Sequence, residues 1–265
     1  HVQHAHTISS RQMPNPWLNI PLADYEGHMG AGGVGQLDPL VTLFALALDR
    51  ARPASAAILG IAGGNGLTAI DCTRTTRVVG IDIHPEYLES VAARYGAGMP
   101  GLELHRVDLA AETLAIPPVQ LVHAALIVEH AGTGCCLENA VALVDAGGFL
   151  SVVLQLPSET QHGVSPTPFA SIQMLRDKFQ FIDPAALVAD FASRGLTLEL
   201  EVREPLPSGK AFWMGVFQRG CAANGTRTRR VPQAFALKVS PVSAVRPTKS
   251  PKRSVEPCAP RLDPT

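Results

Sequence analysis

Ile58-Leu59-Gly60-Ile61-Ala62-Gly63-Gly64-Asn65-Gly66, followed a dozen residues later by Val78-Val79-Gly80-Ile81-Asp82-Ile83, decides the reading of this chain. Each stretch is a short apolar run, and the first breaks into small residues where a buried strand would turn back over a sheet. The apolar run over Ala56 to Ile61, a Gly-rich turn, an expected helix and a second run over Arg77 to Ile83 make a β-turn-α-β unit. Missing side chains at Gly60, Ala62, Gly63, Gly64, Asn65 and Gly66 would let backbone N–H groups approach a nucleotide-like ligand. Gly-rich turns also close tightly packed loops, so the turn alone leaves both readings open.

The alternation continues outward in both directions. Asp38 and Pro39 look like an N-cap and a first-turn proline for a helix to about Arg50. Downstream the pattern predicts a helix over Pro85 to Tyr95, strands over Leu102 to Val107 and Val119 to Ile127, a helix over Leu137 to Val144 and a strand over Phe149 to Gln155. A helix-like piece follows near Phe169 to Lys178, then a helix opened by Asp183 and Pro184 and closed by Gly195. Runs over Leu196 to Arg203 and Ala211 to Gln218 flank a breaker-rich turn, Pro205 to Lys210, and read as an antiparallel hairpin. The expected fold is α/β: a Rossmann-like, doubly wound, mostly parallel seven-stranded sheet with a C-terminal antiparallel hairpin.

Three segments follow from this pattern. Residues 1–37 form an N-terminal segment, dense in polar and aromatic groups between Asp24 and Met29 and read as a candidate lid; residues 38–220 form the catalytic-size domain. Residues 221–265 carry nine Lys or Arg against two Asp or Glu and seven prolines, the composition of a basic disordered tail. The formal net charge of -1 gives no reason to expect nucleic acid as a partner. Five scattered cysteines without metal-ligand spacing suggest neither a disulfide framework nor a metal site and fit a reducing cytoplasm. No run approaches a membrane span, and the opening lacks the pattern of a signal peptide, so a soluble, cytoplasmic chain is expected.

Two acids sit where a nucleotide would want them. Asp82 ends the second strand, where a carboxylate can accept hydrogen bonds from ribose hydroxyls, with Ile83 beside it; it reads equally as a cap for the next helix. Asp108, followed by Leu109, comes after the third strand, where a carboxylate can accept from an adenine amino group or close its own loop.

In this order the residues resemble the class I methyltransferase family, over about Ala56 to Gln218. The terminal strand Phe212-Trp213-Met214-Gly215-Val216-Phe217 is especially similar, and the opening Trp17-Leu18-Asn19-Ile20-Pro21-Leu22-Ala23-Asp24-Tyr25-Glu26-Gly27-His28-Met29 looks like that of an uncharacterised bacterial subgroup. The resemblance implies S-adenosyl-L-methionine as cofactor and transfer of its methyl group to a small-molecule acceptor. One position departs from the family: Gly60 stands where an acid is usual, and Ala62 replaces the first glycine of the loop. Asn65 or the N-terminal segment would then hold the methionine end. A dinucleotide oxidoreductase using NAD(P) and a non-catalytic cofactor binder of the same fold are the competing readings.

In such a fold the residues after the fourth strand stand beside the reacting centre. They are Glu129 and His130 here, His130 as a candidate general base and Glu129 orienting it or binding a cationic acceptor, against a reading of both as capping or solvated groups. His28 is a second candidate base, and Tyr25 a candidate contact to cofactor or acceptor, unless both only anchor their segment. His123, within an apolar strand, reads as a core histidine. The Ser/Thr/Pro stretch from Ser158 to Pro168 is either part of an acceptor pocket or a surface loop.

Overall fold

The computed structural model describes residues 15–32, 34–158 and 163–221. Seven strands, β1 (Ser55–Leu59), β2 (Arg77–Asp82), β3 (Leu102–Arg106), β4 (Val119–Ala125), β5 (Val144–Gln155), β6 (Leu196–Pro205) and β7 (Ala211–Arg219), make one sheet in the order β3-β2-β1-β4-β5-β7-β6. β3, β2, β1, β4 and β5 pair in parallel, while β7 runs antiparallel to both β5 and β6. This is the expected Rossmann-like sheet with its C-terminal antiparallel pair.

The burial of each strand follows from its place. In β1 and β2 every residue after the first is buried, as both faces are covered, whereas edge strand β6 alternates inward and outward side chains. On one face lie α2 (Leu37–Ala51) and α3 (Pro85–Tyr95), which bury Leu43, Phe44 and Ala47 and Leu88 and Val91 against Ile58, Val78 and Leu121. The other face is covered by α5 (Cys135–Leu143) and α7 (Pro184–Ser193), with Leu137, Ala140 and Phe191 against Val122, Leu150 and Phe217. At about 1.5–3 kcal/mol for each fully buried large apolar side chain, α2 is held by packing and not by its cap. Its N-cap is Gln36, without a side-chain hydrogen bond; Asp38 lies one residue inside the helix instead of capping it. α7 opens as its sequence implied, with Asp183 accepting a hydrogen bond from the Ala185 amide and Pro184 in the first turn.

The stretch after the Gly-rich turn differs from expectation. No α-helix joins β1 to β2; a single 3-10 turn at Leu67–Ala69 is followed by loop. Asp71 accepts from both the amide and the hydroxyl of Thr73, a local bond that competes with helix, and Gly64 and Gly66 sit at φ of 86° and 92°. Smaller shifts occur elsewhere. β4 stops at Ala125 because Leu126 turns into the left-handed region, a short unexpected α4 (Val128–Ala131) precedes the expected helix, α5, and β5 begins at Val144. The piece near Phe169 to Lys178 is a short α6 (Ala170–Gln173) and a 3-10 turn at Arg176–Lys178.

The N-terminal segment contributes a 3-10 turn at Pro16–Asn19 and α1 (Leu22–Gly30), which crosses the carboxyl edge of the sheet and touches α6. The basic tail lies, beyond Cys221, outside the described residues, as do residues 159–162 of the Ser/Thr/Pro stretch. Among the described residues no helix is long and apolar enough to cross a membrane.

Candidate functional site

A mostly apolar cavity opens outside the carboxyl ends of the parallel strands, the place this topology leaves free for ligands. Its floor is made by the ends of β1, β2 and β4 and the loop after β3; Trp17, Tyr25, His28 and Met29 of the N-terminal segment and Ile172, Leu175 and Phe179 form the roof. The floor is strained. Ala62 (φ 48°) and Leu126 (φ 56°), two of the three non-glycine residues with positive φ among the described residues, both line it. Left-handed backbone with a Cβ costs about 1–2 kcal/mol per residue, so specific bonds must hold it. The Leu126 amide donates to the Val153 carbonyl (2.9 Å), and the Ala62 amide donates to Asp82 Oδ2 (2.9 Å).

Asp82 is therefore part of the floor as well as a wall of the cavity. Its Oδ1 accepts from the His84 amide at 3.0 Å, and the side chain is buried, which raises its pKa against the lowering effect of those amides. The N-cap of α3 is His84 and not Asp82; Asp82 holds the turn before that helix through the His84 amide, and its side chain lines the cavity. Asp108 also lines the cavity, accepts from the Ala110 amide (3.0 Å) in its own loop, and is approached by Asn15 Nδ2 at 3.4 Å. Between the two acids, Ile83 and Leu109 supply apolar lining.

The Gly-rich turn is used otherwise than expected. Gly60 and Ala62 reach the cavity, but Gly63, Gly64, Asn65 and Gly66 are not among its lining residues. A Cβ on Gly63 would collide with the Glu26 carboxylate, one on Gly64 with the Tyr95 ring, and one on Gly66 would press on Phe44 at 3.0 Å. These glycines are small for the sake of packing within the protein. Asn65 is exposed and donates to the Leu37 carbonyl (3.3 Å). At Gly60 a Cβ would meet Ile127 Cδ1 at 3.0 Å, so Ile127 occupies the space an acid there would need. An acid nonetheless arrives at this loop. Glu26 of α1 lies over Gly63, ion-paired with Arg94, whose Nη1 also donates to the Gly63 carbonyl.

Of the candidate catalytic residues, His130 and His28, read as bases, line the cavity and Glu129, read as orienting His130 or binding a cationic acceptor, does not. His130 stands between the edges of Trp17 (4.9 Å) and Phe179 (5.3 Å), its Nδ1 buried without a partner, and burial lowers its pKa to about 4. It is neutral at pH 7 and can accept a hydrogen bond. His28 is buried in α1, Nδ1 also unpartnered, its pKa lowered first by desolvation and then by the positive charge of Lys210. Glu129 is 1% exposed behind the wall, its Oε1 accepting from the Gln155 amide (2.8 Å) and its carbonyl from the Gln180 amide (2.9 Å), while Oε2 has no partner. Burial pushes its carboxyl up to about 7. Its position ties the end of β5 to the loop before α7, so it supports the wall without lining the cavity.

Tyr25 lines the cavity between Trp17 (6.0 Å) and Tyr87 (6.2 Å), its phenol raised well above the usual range by burial and by the charge of Asp82. Tyr87, stacked on His84, donates to the Ile20 carbonyl (2.8 Å) and so fastens the roof segment to α3. His123 is a core residue, stacked on Phe44 and 3.1 Å from Ser151 Oγ, as its apolar strand implied.

A polar cluster at the other end of the cavity was not foreseen. Gln155, the last residue of β5, accepts at Oε1 from Gln36 Nε2 (3.2 Å) and Lys210 Nζ (3.3 Å); the Gly163 carbonyl accepts from Gln155 Nε2 (2.7 Å) and Lys210 Nζ (2.9 Å). Ser165, beside them in the lining, has a buried hydroxyl without a partner. Of the Ser158 to Pro168 stretch, Gly163, Val164 and Ser165 thus line the cavity.

No protein-family model matches the sequence, and no curated protein sequence matches it. The fold is similar to solved structures. One is the N-methyltransferase NodS from Bradyrhizobium japonicum in complex with S-adenosyl-L-homocysteine (TM-score 0.52, 13% identity, covering 69% of this chain and 87% of that one). A second is the magnesium protoporphyrin IX methyltransferase ChlM from Synechocystis, also with S-adenosyl-L-homocysteine bound (TM-score 0.52, 11% identity, 71% and 84% covered). A third is the [4+2]-cyclase SpnF (TM-score 0.53, 9% identity, 69% and 82% covered). At these identities the likeness is one of fold, and the third shows that the fold carries more than one reaction.

Proposed function

We propose that this chain is an S-adenosylmethionine-dependent methyltransferase acting on a small-molecule acceptor. The observation that carries the reading is the pair Asp82 and Asp108, acceptor groups at the ends of adjacent strands β2 and β3 that line one mostly apolar cavity. The residues present fit an adenosine: Asp82 has lone pairs to offer the ribose hydroxyls, and Asp108, with Ile83 and Leu109 between, has a carboxylate to offer an adenine amino group. S-adenosylmethionine would supply an electrophilic methyl group there. Similar structures that hold the product of that cofactor support the reading.

The protein's own part is alignment and water exclusion. Trp17, Tyr25 and Met29 close the roof, and the neutral ring of His130, with an unpaired nitrogen, accepts the proton side of an acceptor hydroxyl or amine. The departure at Gly60 leaves the aminoacyl end to the N-terminal segment, where Tyr25 lines the cavity and Glu26 lies over the loop.

Calorimetric titration of the full chain with S-adenosylmethionine, S-adenosylhomocysteine and NADPH tests this. Saturable binding of the first two at micromolar concentrations, without binding of NADPH, is expected. Binding of NADPH alone, or of none of the three, overturns the proposal.

A further inference from the structure

The strands that hold the two acids, β2 and β3, are at one end of the cavity, and the Gln155–Lys210 cluster at the ends of β5 and β7 is at the other. We infer that this far end is a subsite for the anionic group of a small, largely apolar acceptor, a carboxylate or phenolate drawn by Lys210 and received by Ser165, Gln155 and His28. The inference rests on the reading of the opposite end as the cofactor's.

Lys210 is 3% exposed, and neither of its hydrogen-bond partners, the Gln155 amide oxygen and the Gly163 carbonyl, is charged. No ion pair joins it to a carboxylate among the described residues. A buried charge without a counter-ion is costly, and an anionic group placed before it would offset that cost. The carboxyl nearest along the chain of contacts is Glu129, which meets the Gln155 amide and not the ammonium. His28 on α1 feels Lys210 as a positive neighbour and is itself unpaired at Nδ1; Ser165 is unpaired at Oγ; both are more than nine-tenths buried and line the cavity. Two unpaired groups and an uncompensated cation one hydrogen bond behind the wall suit one anionic group. Burial lowers Lys210 to about 8, so it is mostly charged at pH 7, and an anion in front of it would raise that value. The aromatic and aliphatic remainder of the lining, Trp17, Phe179 and Ile172 among it, suits an apolar body on the ligand.

The test uses 1-naphthoate and the neutral 1-naphthamide as matched probes on the full chain, each titrated with and without saturating S-adenosylhomocysteine. The acid is expected to bind at least about tenfold tighter than the amide. Lys210→Met should abolish that preference and Lys210→Arg should keep most of it. Equal binding of acid and amide by the wild type, or a preference that survives Lys210→Met, overturns the inference. Should either variant fold poorly, the wild type suffices: Lys210 side-chain NMR should show its pKa rising on naphthoate binding, and an unmoved value overturns the inference equally. Failure of S-adenosylhomocysteine to bind counts against the cofactor reading and leaves the acid-to-amide ratio still decisive for this subsite.

Discussion

Glu129 offers a prediction whose size can be worked from its surroundings. Its carboxyl ionises near 4.5 in an unfolded chain and near 7 in the folded protein, because burial opposes the charge more than the Gln155 amide favours it. The folded state therefore binds the proton more tightly, and the contribution to stability falls as pH rises from about 4.5 to about 7, then levels off. A difference of that size corresponds to about 3 kcal/mol at most, and to about 1–3 kcal/mol once the interior relaxes around the charge. Glu129→Gln removes the ionisation while its amide oxygen can still accept from the Gln155 amide. Urea denaturation of both proteins between pH 4.5 and 8.5 measures the difference. The wild type's own profile is no guide, since neutral buried His130, with a pKa near 4, contributes stability that rises with pH over much of the same range. Subtracting the two proteins isolates Glu129: the variant should gain on the wild type steadily up to about pH 7 and stay ahead above it. A difference independent of pH, or one that shrinks as pH rises, would refute the assignment of an uncompensated buried carboxyl.

Asp82→Asn should weaken S-adenosylhomocysteine binding about tenfold while Asp82→Ala also lowers stability, because the alanine leaves the amides of Ala62 and His84 without acceptors; unchanged affinity in calorimetry would remove Asp82 from the ligand site. His130→Ala should lower turnover on any accepted substrate about 10–100-fold with the S-adenosylhomocysteine Kd within about twofold, and a parallel loss of both would make His130 a packing residue between Trp17 and Phe179. Tyr87→Phe strips the Ile20 carbonyl of its donor and should cost about 1–2 kcal/mol, read as faster hydrogen exchange across residues 22–30; unaltered exchange there would mean the roof is held elsewhere.

The parts of this fold that were legible in the sequence are those whose burial is written in consecutive residues. β1 and β2 are covered on both faces, so their apolar runs are unbroken, and the terminal hairpin is bracketed by breakers. What failed was local competition. The stretch after Gly66 has room for a helix, and only the Asp71–Thr73 bonds and the left-handed glycines decide against one. Asp82 and Asp108 were legible because chain order puts strand ends on one edge of a parallel sheet. Gln36, Gln155, Ser165 and Lys210 were not, since nothing in the sequence connects residues separated by up to 174 positions, and a lysine in a Pro/Gly turn reads as solvated. Its burial arises only when the β6–β7 turn folds down onto the end of β5.

The Gly-rich turn carries the sharper lesson about small residues. Four of its six positions are kept small or polar for contacts inside the protein, and the two that reach the cavity, Gly60 and Ala62, are shaped by Ile127 above one and the Asp82 carboxylate holding the other. The acid absent from position 60 and the acid present at position 26 belong to the same account. Ile127 fills the space beside Gly60 with an apolar side chain, while α1, laid across the sheet edge, brings Glu26 to the glycine loop and pairs it with Arg94 of α3. Because that ion pair is partly exposed, it contributes little to stability by itself, and the N-terminal segment is also held by Tyr87 on the Ile20 carbonyl, by Asp24 accepting from the Ser171 hydroxyl, by Phe169 against Gly27 and by Trp17 against His130. A roof that supplies Tyr25 and His28 to the cavity ties the shape of the site to the docking of one short helix.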